Sequence, residues 1–114
     1  MNNRKRKRLK VARKSYVDER IHQIFDLCLK INSLKSRRKE LTGKLPTVFF
    51  KFSGHVAEVQ IDVHPEGYGS SNEEYLYYDF YLSGSLYEQS KVEECYNELK
   101  EIYESMETAD DTRQ

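Results

Sequence analysis

Between residues 15 and 107 the spacing of apolar side chains changes twice, and that change of period limits the fold more than any other feature. Val17, Ile21, Ile24, Leu27 or Cys28, Ile31, Leu34 and Leu41 recur three or four residues apart, which marks one face of a helix. From Thr47 the pattern alternates. After Ser85 the helical spacing returns through Val92, Cys95 or Tyr96, Leu99, Ile102 or Tyr103 and Met106. Helices with one apolar stripe and strands with one apolar face bury both by packing together. The expected fold is therefore α+β: helix, three-stranded antiparallel β-meander, helix (αβββα), with both helices packed on one sheet face.

Local signals set the boundaries. Ser15 with Asp18 makes a capping-box-like start, while Gly43 and Pro46 end any continuation, so the first helix is predicted over about 16–41. In the first strand Val48, Phe50 and Phe52 face one way, with Phe49 and Lys51 opposite. Ser53-Gly54 is a turn leading into His55–His64, where Ala57, Val59, Ile61 and Val63 alternate with Glu58, Gln60, Asp62 and His64. The turn-rich loop Pro65–Asn72 precedes the third strand. There Leu76, Tyr78, Phe80 and Leu82 read as core, and Tyr75, Tyr77, Asp79 and Tyr81 as an outer face. Ser85 with Glu88 opens the second helix, about 86–107. The domain reading is a basic, flexible arm over 1–14, one α+β domain over 15–107 and a frayed tail over 108–114.

The formal net charge of zero conceals a strong asymmetry. Residues 1–45 hold 15 of the 19 basic and 4 of the 19 acidic side chains, a net +11, which leaves −11 for the rest. Such a split points to nucleic-acid contact by the basic part, to an acidic face for a basic partner, or to neutralisation inside the fold. Arg4, Lys5, Arg6, Lys7, Arg8, Lys10, Arg13 and Lys14 form a run without an acid. Phosphate neutralisation needs charge density and little geometry, so these eight are candidate nucleic-acid contacts. A localisation-like address or a solvated tail fits the same residues. Lys35, Arg37, Arg38 and Lys39 are a second phosphate-binding candidate or ordinary charge at a helix C-terminus.

Catalytic and metal signals are sparse. Asp62 and His64 share a strand face about 7 Å apart, too far for a hydrogen-bonded pair, and His55 falls on the other face. His22 and Asp26 read as a local contact one helical turn apart. There is no CxxC, HExxH or EF-hand spacing, so no metal or cofactor is expected and the chain is read as a non-enzyme. No apolar run spans a bilayer and no signal-peptide core follows the basic start, which predicts an intracellular, cytoplasmic protein. Cys28 and Cys95 are expected to be buried thiols.

The outer sheet face collects Phe49, Glu58, Asp62, Tyr75, Tyr77, Asp79 and Tyr81, with Lys51 and Gln60 among them. Its acids would repel phosphates, so the aromatics suit a basic protein surface better than stacked bases, unless they merely fit a pleated surface.

In element order the chain resembles the double-stranded RNA-binding domain. That family grips phosphates with a basic cluster at the start of its second helix. Here the place reads Ser85-Leu86-Tyr87-Glu88-Gln89-Ser90-Lys91, so no RNA-binding residue carries across. The element order of residues 16–107 and the acidic second half also resemble small phage-encoded anti-CRISPR inhibitors. That resemblance implies an acidic surface occupying the DNA-binding site of an effector nuclease. The functional expectation is a binding protein for nucleic acid or nucleoprotein. The alternative is a homodimer or larger homo-oligomer assembled through the long first helix.

Overall fold

Five elements follow one another in the expected order: α1 (Asn3–Ser33), β1 (Thr47–Ser53), β2 (Glu58–His64), β3 (Leu76–Tyr81) and α2 (Leu86–Asp111). The computed structural model describes residues 2–34, 45–67, 75–82 and 85–111. The strands form an antiparallel sheet in the order β1-β2-β3, the meander that short connections dictate. Val48 pairs with Val63, Ile61 with Tyr78 and Val59 with Phe80, which brings the inward side chains of three strands onto one face.

Both helices cover that face. Val17, Ile24 and Ile31 of α1, Val92, Cys95 and Leu99 of α2, and Val59, Ile61, Val63 and Phe80 of the sheet are fully buried together. α1 packs beside β1 and α2 beside β3. The helices run parallel: Tyr16 and Arg20 meet Glu93, and farther along Lys30 approaches the ring of Tyr103. An odd number of antiparallel strands between two helices on one face requires this direction. The last turns of α2 are thereby set at the opposite end of the molecule from the first turns of α1.

The structure departs from the sequence reading at several ends. α1 begins at Asn3, not near 16, and Ser15 sits exposed within it. Once the packed segment has supplied the nucleus, each further residue adds one hydrogen bond, and Lys, Arg, Leu and Ala propagate a helix well. The Asn2 side chain caps the new terminus by accepting the Lys5 N–H at 2.9 Å. Asp18, expected to serve a cap, instead accepts from Lys14 Nζ at 2.8 Å. At the other end, Leu34 N–H makes the last helical bond to the Lys30 carbonyl, and residues 35–41 of the expected helix lie outside the described residues.

β2 starts at Glu58, so His55 and Val56 belong to a four-residue turn. Ala57 closes it at φ 52°, and its carbonyl accepts from Leu82 N–H at 3.0 Å. Phe52 and Leu76, read as core, are exposed because they lie at strand ends that the helices do not cover. Tyr78 and Leu82 are half-buried, and Phe80 alone of that set is fully buried. α2 continues to Asp111, four residues beyond the expected end.

Candidate binding surfaces

The basic run is a helix, and its first turns are exposed. Arg4, Lys5, Arg6, Lys7 and Arg8 are exposed, Arg13 is half-buried, and the first fully buried side chain of α1 is Val17. Residues 3–14 amount to about 18 Å of helix at 1.5 Å per residue. α1 as a whole has 31 residues, about 46 Å, against about 23 Å for a seven-residue strand. This overhang gives the molecule its length, 58 × 31 × 20 Å. Lys10 belongs to the same helical segment; Lys35, Arg37, Arg38 and Lys39 lie outside the described residues.

The charges at both helix ends oppose the helix dipole. The first turn of α1 carries no acid, and the last turn of α2 carries no base. Charges of the wrong sign near a terminus cost about 0.3–1 kcal/mol each. Like charges one turn apart, as at Arg4 and Arg8, add a smaller repulsion. Helix stability therefore does not explain the basic end of α1.

Among the described residues, the ion pairs of Lys14, Arg20, Lys30 and Lys91 cancel little of the asymmetry. Between described side chains, one ion pair joins the basic half of the sequence to the acidic half, Arg20 Nε to Glu93. Tyr16 donates its hydroxyl to the same carboxylate, and the Arg20 guanidinium lies 4.1 Å from the Tyr96 ring centroid. The Tyr16 hydroxyl and the Glu93 carboxylate hold the Arg20 pKa above its ordinary value. Burial acts to raise the carboxyl of Glu93, but Tyr16 and Arg20 outweigh it and hold it low. Of the other pairs, Lys14–Asp18 and Lys30–Asp26 lie within α1, so Asp26 meets Lys30 instead of His22, and Lys91 with Asp79 and Glu88 lies within the acidic half.

On the uncovered face the register builds a grid. Phe49, Asp62 and Tyr77 form one row, Lys51, Gln60 and Asp79 a second, and Ser53, Glu58 and Tyr81 a third. Phe49, Tyr75, Tyr77 and Tyr81 are exposed, as the alternation required. His64, read as a plain polar residue, lies between two of them: its ring is 5.6 Å from Phe49 edge-on and 5.1 Å from Tyr75 in a stack. Only the strand register reveals that trio. Gln60 donates to Tyr77 Oη at 2.9 Å. Glu58, beside Tyr81, pushes that phenol's pKa up. Asp79 is partly answered, since Lys91 of α2 comes within 3.6 Å of it.

Two polar contacts that position these surfaces had no signal in the sequence. Asn32 donates Nδ2–H to the Val48 carbonyl at 2.7 Å, and its Oδ1 accepts Val48 N–H at 3.0 Å, fastening the end of α1 to the outer edge of β1. Buried Glu88 accepts Tyr81 N–H at 3.0 Å, while Ser85 Oγ accepts Glu88 N–H at 3.1 Å. Half of the expected capping box is thus present. The other half has become a link between α2 and β3.

A groove of about 510 Å³ opens between α1 and the free edge of β1, lined by Ile21, Phe25, Phe50, Phe52, Val59 and Leu82. His22 stands at its rim with Lys14 and Asp18. Cys28 and Cys95 are buried free thiols, and burial raises the Cys28 pKa to about 12, which leaves it protonated and unreactive at neutral pH. Among the described residues no three His, Cys, Asp or Glu side chains group as a metal site, and no helix is long and apolar enough to cross a membrane. Comparison with protein-family models, curated proteins and solved structures returned no match.

Proposed function

We propose that this chain is a non-enzymatic binding protein that acts inside the cell on a nucleic acid or a nucleoprotein. The observation that carries this reading is the basic overhang of α1, along which Arg4, Lys5, Arg6, Lys7 and Arg8 are all exposed. Arg4, Lys5, Arg6, Lys7 and Arg8, with Lys10, Arg13 and Lys14, hold phosphates. The opposite layer, with Phe49, Tyr75, Tyr77 and Tyr81 among Glu58, Asp62 and Asp79, engages a basic protein surface. A protein with both surfaces is suited to inhibit a nucleic-acid enzyme, of which a CRISPR effector nuclease is one example.

The test is binding to duplex DNA, single-stranded DNA and RNA by the unaltered chain and by a variant with the eight cations of residues 4–14 changed to Gln. Gln keeps the helix propensity and removes the charge. Binding that disappears in the variant supports the reading; no binding by the unaltered chain refutes it. For the protein-facing half, Tyr75, Tyr77 and Tyr81 changed together to Ser are expected to release a captured basic partner without unfolding the domain.

A second reading, a homo-oligomer built through α1, is favoured by Phe25 and Leu29. These exposed apolar side chains lie one turn apart on α1, and Phe25 also lines the groove beside β1. Sedimentation at several protein and salt concentrations separates the two, since a monomer throughout rules out the oligomer.

A further inference from the structure

Phosphates occur on every nucleic acid, but the shape of the basic segment fits one form of them. At 3.6 residues per turn, positions 4, 5, 6, 7, 8, 10, 13 and 14 are distributed around the whole helix axis, with no side left without a cation. A helix that lay against one strand would use a single charged stripe. One charged on every side is matched by a ligand that surrounds it. The B-form major groove, about 12 Å wide and walled by phosphates on both sides, admits a helix of about 10–12 Å diameter. The A-form major groove of duplex RNA is too narrow and deep for this. Single strands are held by aromatic platforms beside cations. Here the exposed aromatics that stand in rows, Phe49, Tyr75, Tyr77 and Tyr81, are on the open sheet face with Glu58, Asp62 and Asp79, while Phe52 and Tyr87, exposed toward the basic end, lie singly on β1 and α2.

The rest of the chain is arranged to allow such an entry. Residues 2–14 contain no acid, and the first, Asp18, is held by Lys14. Arg13 is half-buried and Val17 is the first fully buried side chain, so the packed body begins after about 15 Å of helix, the span of about four base pairs at 3.4 Å each. Of the acids of α2 nearest the basic end, Glu88 is buried and Glu93 is bound to Arg20, which leaves Glu94 as the first exposed one. The exposed Glu101, Glu104 and Glu107 follow at the other end, because the helices are parallel. Since the segment continues a helix already fixed by packing, binding orders few additional residues.

We propose that residues 3–14 occupy the major groove of duplex DNA as one continuous helix, with the α+β body held outside the phosphate backbone. This rests on the phosphate-binding reading above and names its ligand. Leu9→Pro separates the two, because it keeps all eight cations while breaking the helix within the exposed segment. Affinities for a short DNA duplex, an RNA duplex of the same sequence and the single DNA strand are compared at one salt concentration. Methylation of guanine N7, which faces the major groove, is followed on the DNA duplex with the unaltered chain. The unaltered chain is expected to prefer the DNA duplex by about tenfold or more and to protect N7. L9P is expected to lose about tenfold on that duplex and little on the single strand. Equal affinity for all three, unprotected N7, or an unchanged L9P overturns the groove assignment and leaves phosphate binding standing. No binding to any of them overturns both. The protection measurement involves no substitution, so it decides the matter even if L9P disturbs the fold.

Discussion

α1 is one uninterrupted helix with two unlike halves. Residues 15–33 contribute Val17, Ile24 and Ile31 to the core, and their charged neighbours are paired: Arg20 with Glu93, Asp26 with Lys30. Residues 3–9 are exposed throughout and concentrate cations at the helix end where the dipole disfavours them. The first half is held by the domain, and the second is extended from it. Helicity in the overhang is borrowed from the packed half, and of its charges Lys14 is paired with that half, through Asp18. The same secondary structure therefore carries stability in one half and, on the reading proposed here, recognition in the other.

That contrast is broken if substitutions in the two halves behave alike. Ile24→Ala or Ile31→Ala is expected to cost about 2–5 kcal/mol in denaturant unfolding, whereas Arg6→Gln should stay within about 0.5 kcal/mol. Comparable losses would mean that the overhang packs against something. Asn32→Ala tests how the packed half is fastened. It leaves Val48 N–H and C=O without their partner and is expected to cost about 1–2 kcal/mol.

A smaller effect concerns the contact that joins the helices. Because Glu93 has its pKa lowered in the folded state, its contribution is complete above the unfolded carboxyl value of about 4.3 and is lost as pH falls through the lower folded one. Glu93→Gln should flatten that part of the stability profile and leave the neutral-to-basic side unaltered in slope. Smallest is Ala57→Gly. Relief of the left-handed backbone should give a gain of up to about 1 kcal/mol, reduced by glycine's greater freedom when unfolded.

The elements and their order were legible because apolar periodicity survives translation into packing. Val17 to Ile31, Val59 to Val63 and Val92 to Met106 bury as their spacing requires. Ends were less legible. Ser15 and Asp18 look like a cap in isolation, yet a helix already nucleated passes through them. His55 and Val56 continue the alternating pattern, but the hairpin needs residues for its turn and takes them. Phe52 and Leu76 have the right phase for the core and the wrong position along their strands. Of the surfaces, the outer tyrosines followed from alternation alone. The insertion of His64 between Phe49 and Tyr75, the Lys91–Asp79 approach and the Asn32 clamp depend on register and on how the helices sit. No local pattern encodes them.

The most direct test is the salt dependence of duplex DNA binding, measured for the unaltered chain and for a variant in which Arg4, Lys5, Arg6, Lys7 and Arg8 are all Gln. Each phosphate contact adds about 0.9 to the log–log slope, so the magnitude is expected to fall by up to about 4.5. Stability should change little, because these side chains are exposed. An equal slope in the two proteins would contradict the assignment of the overhang to phosphates.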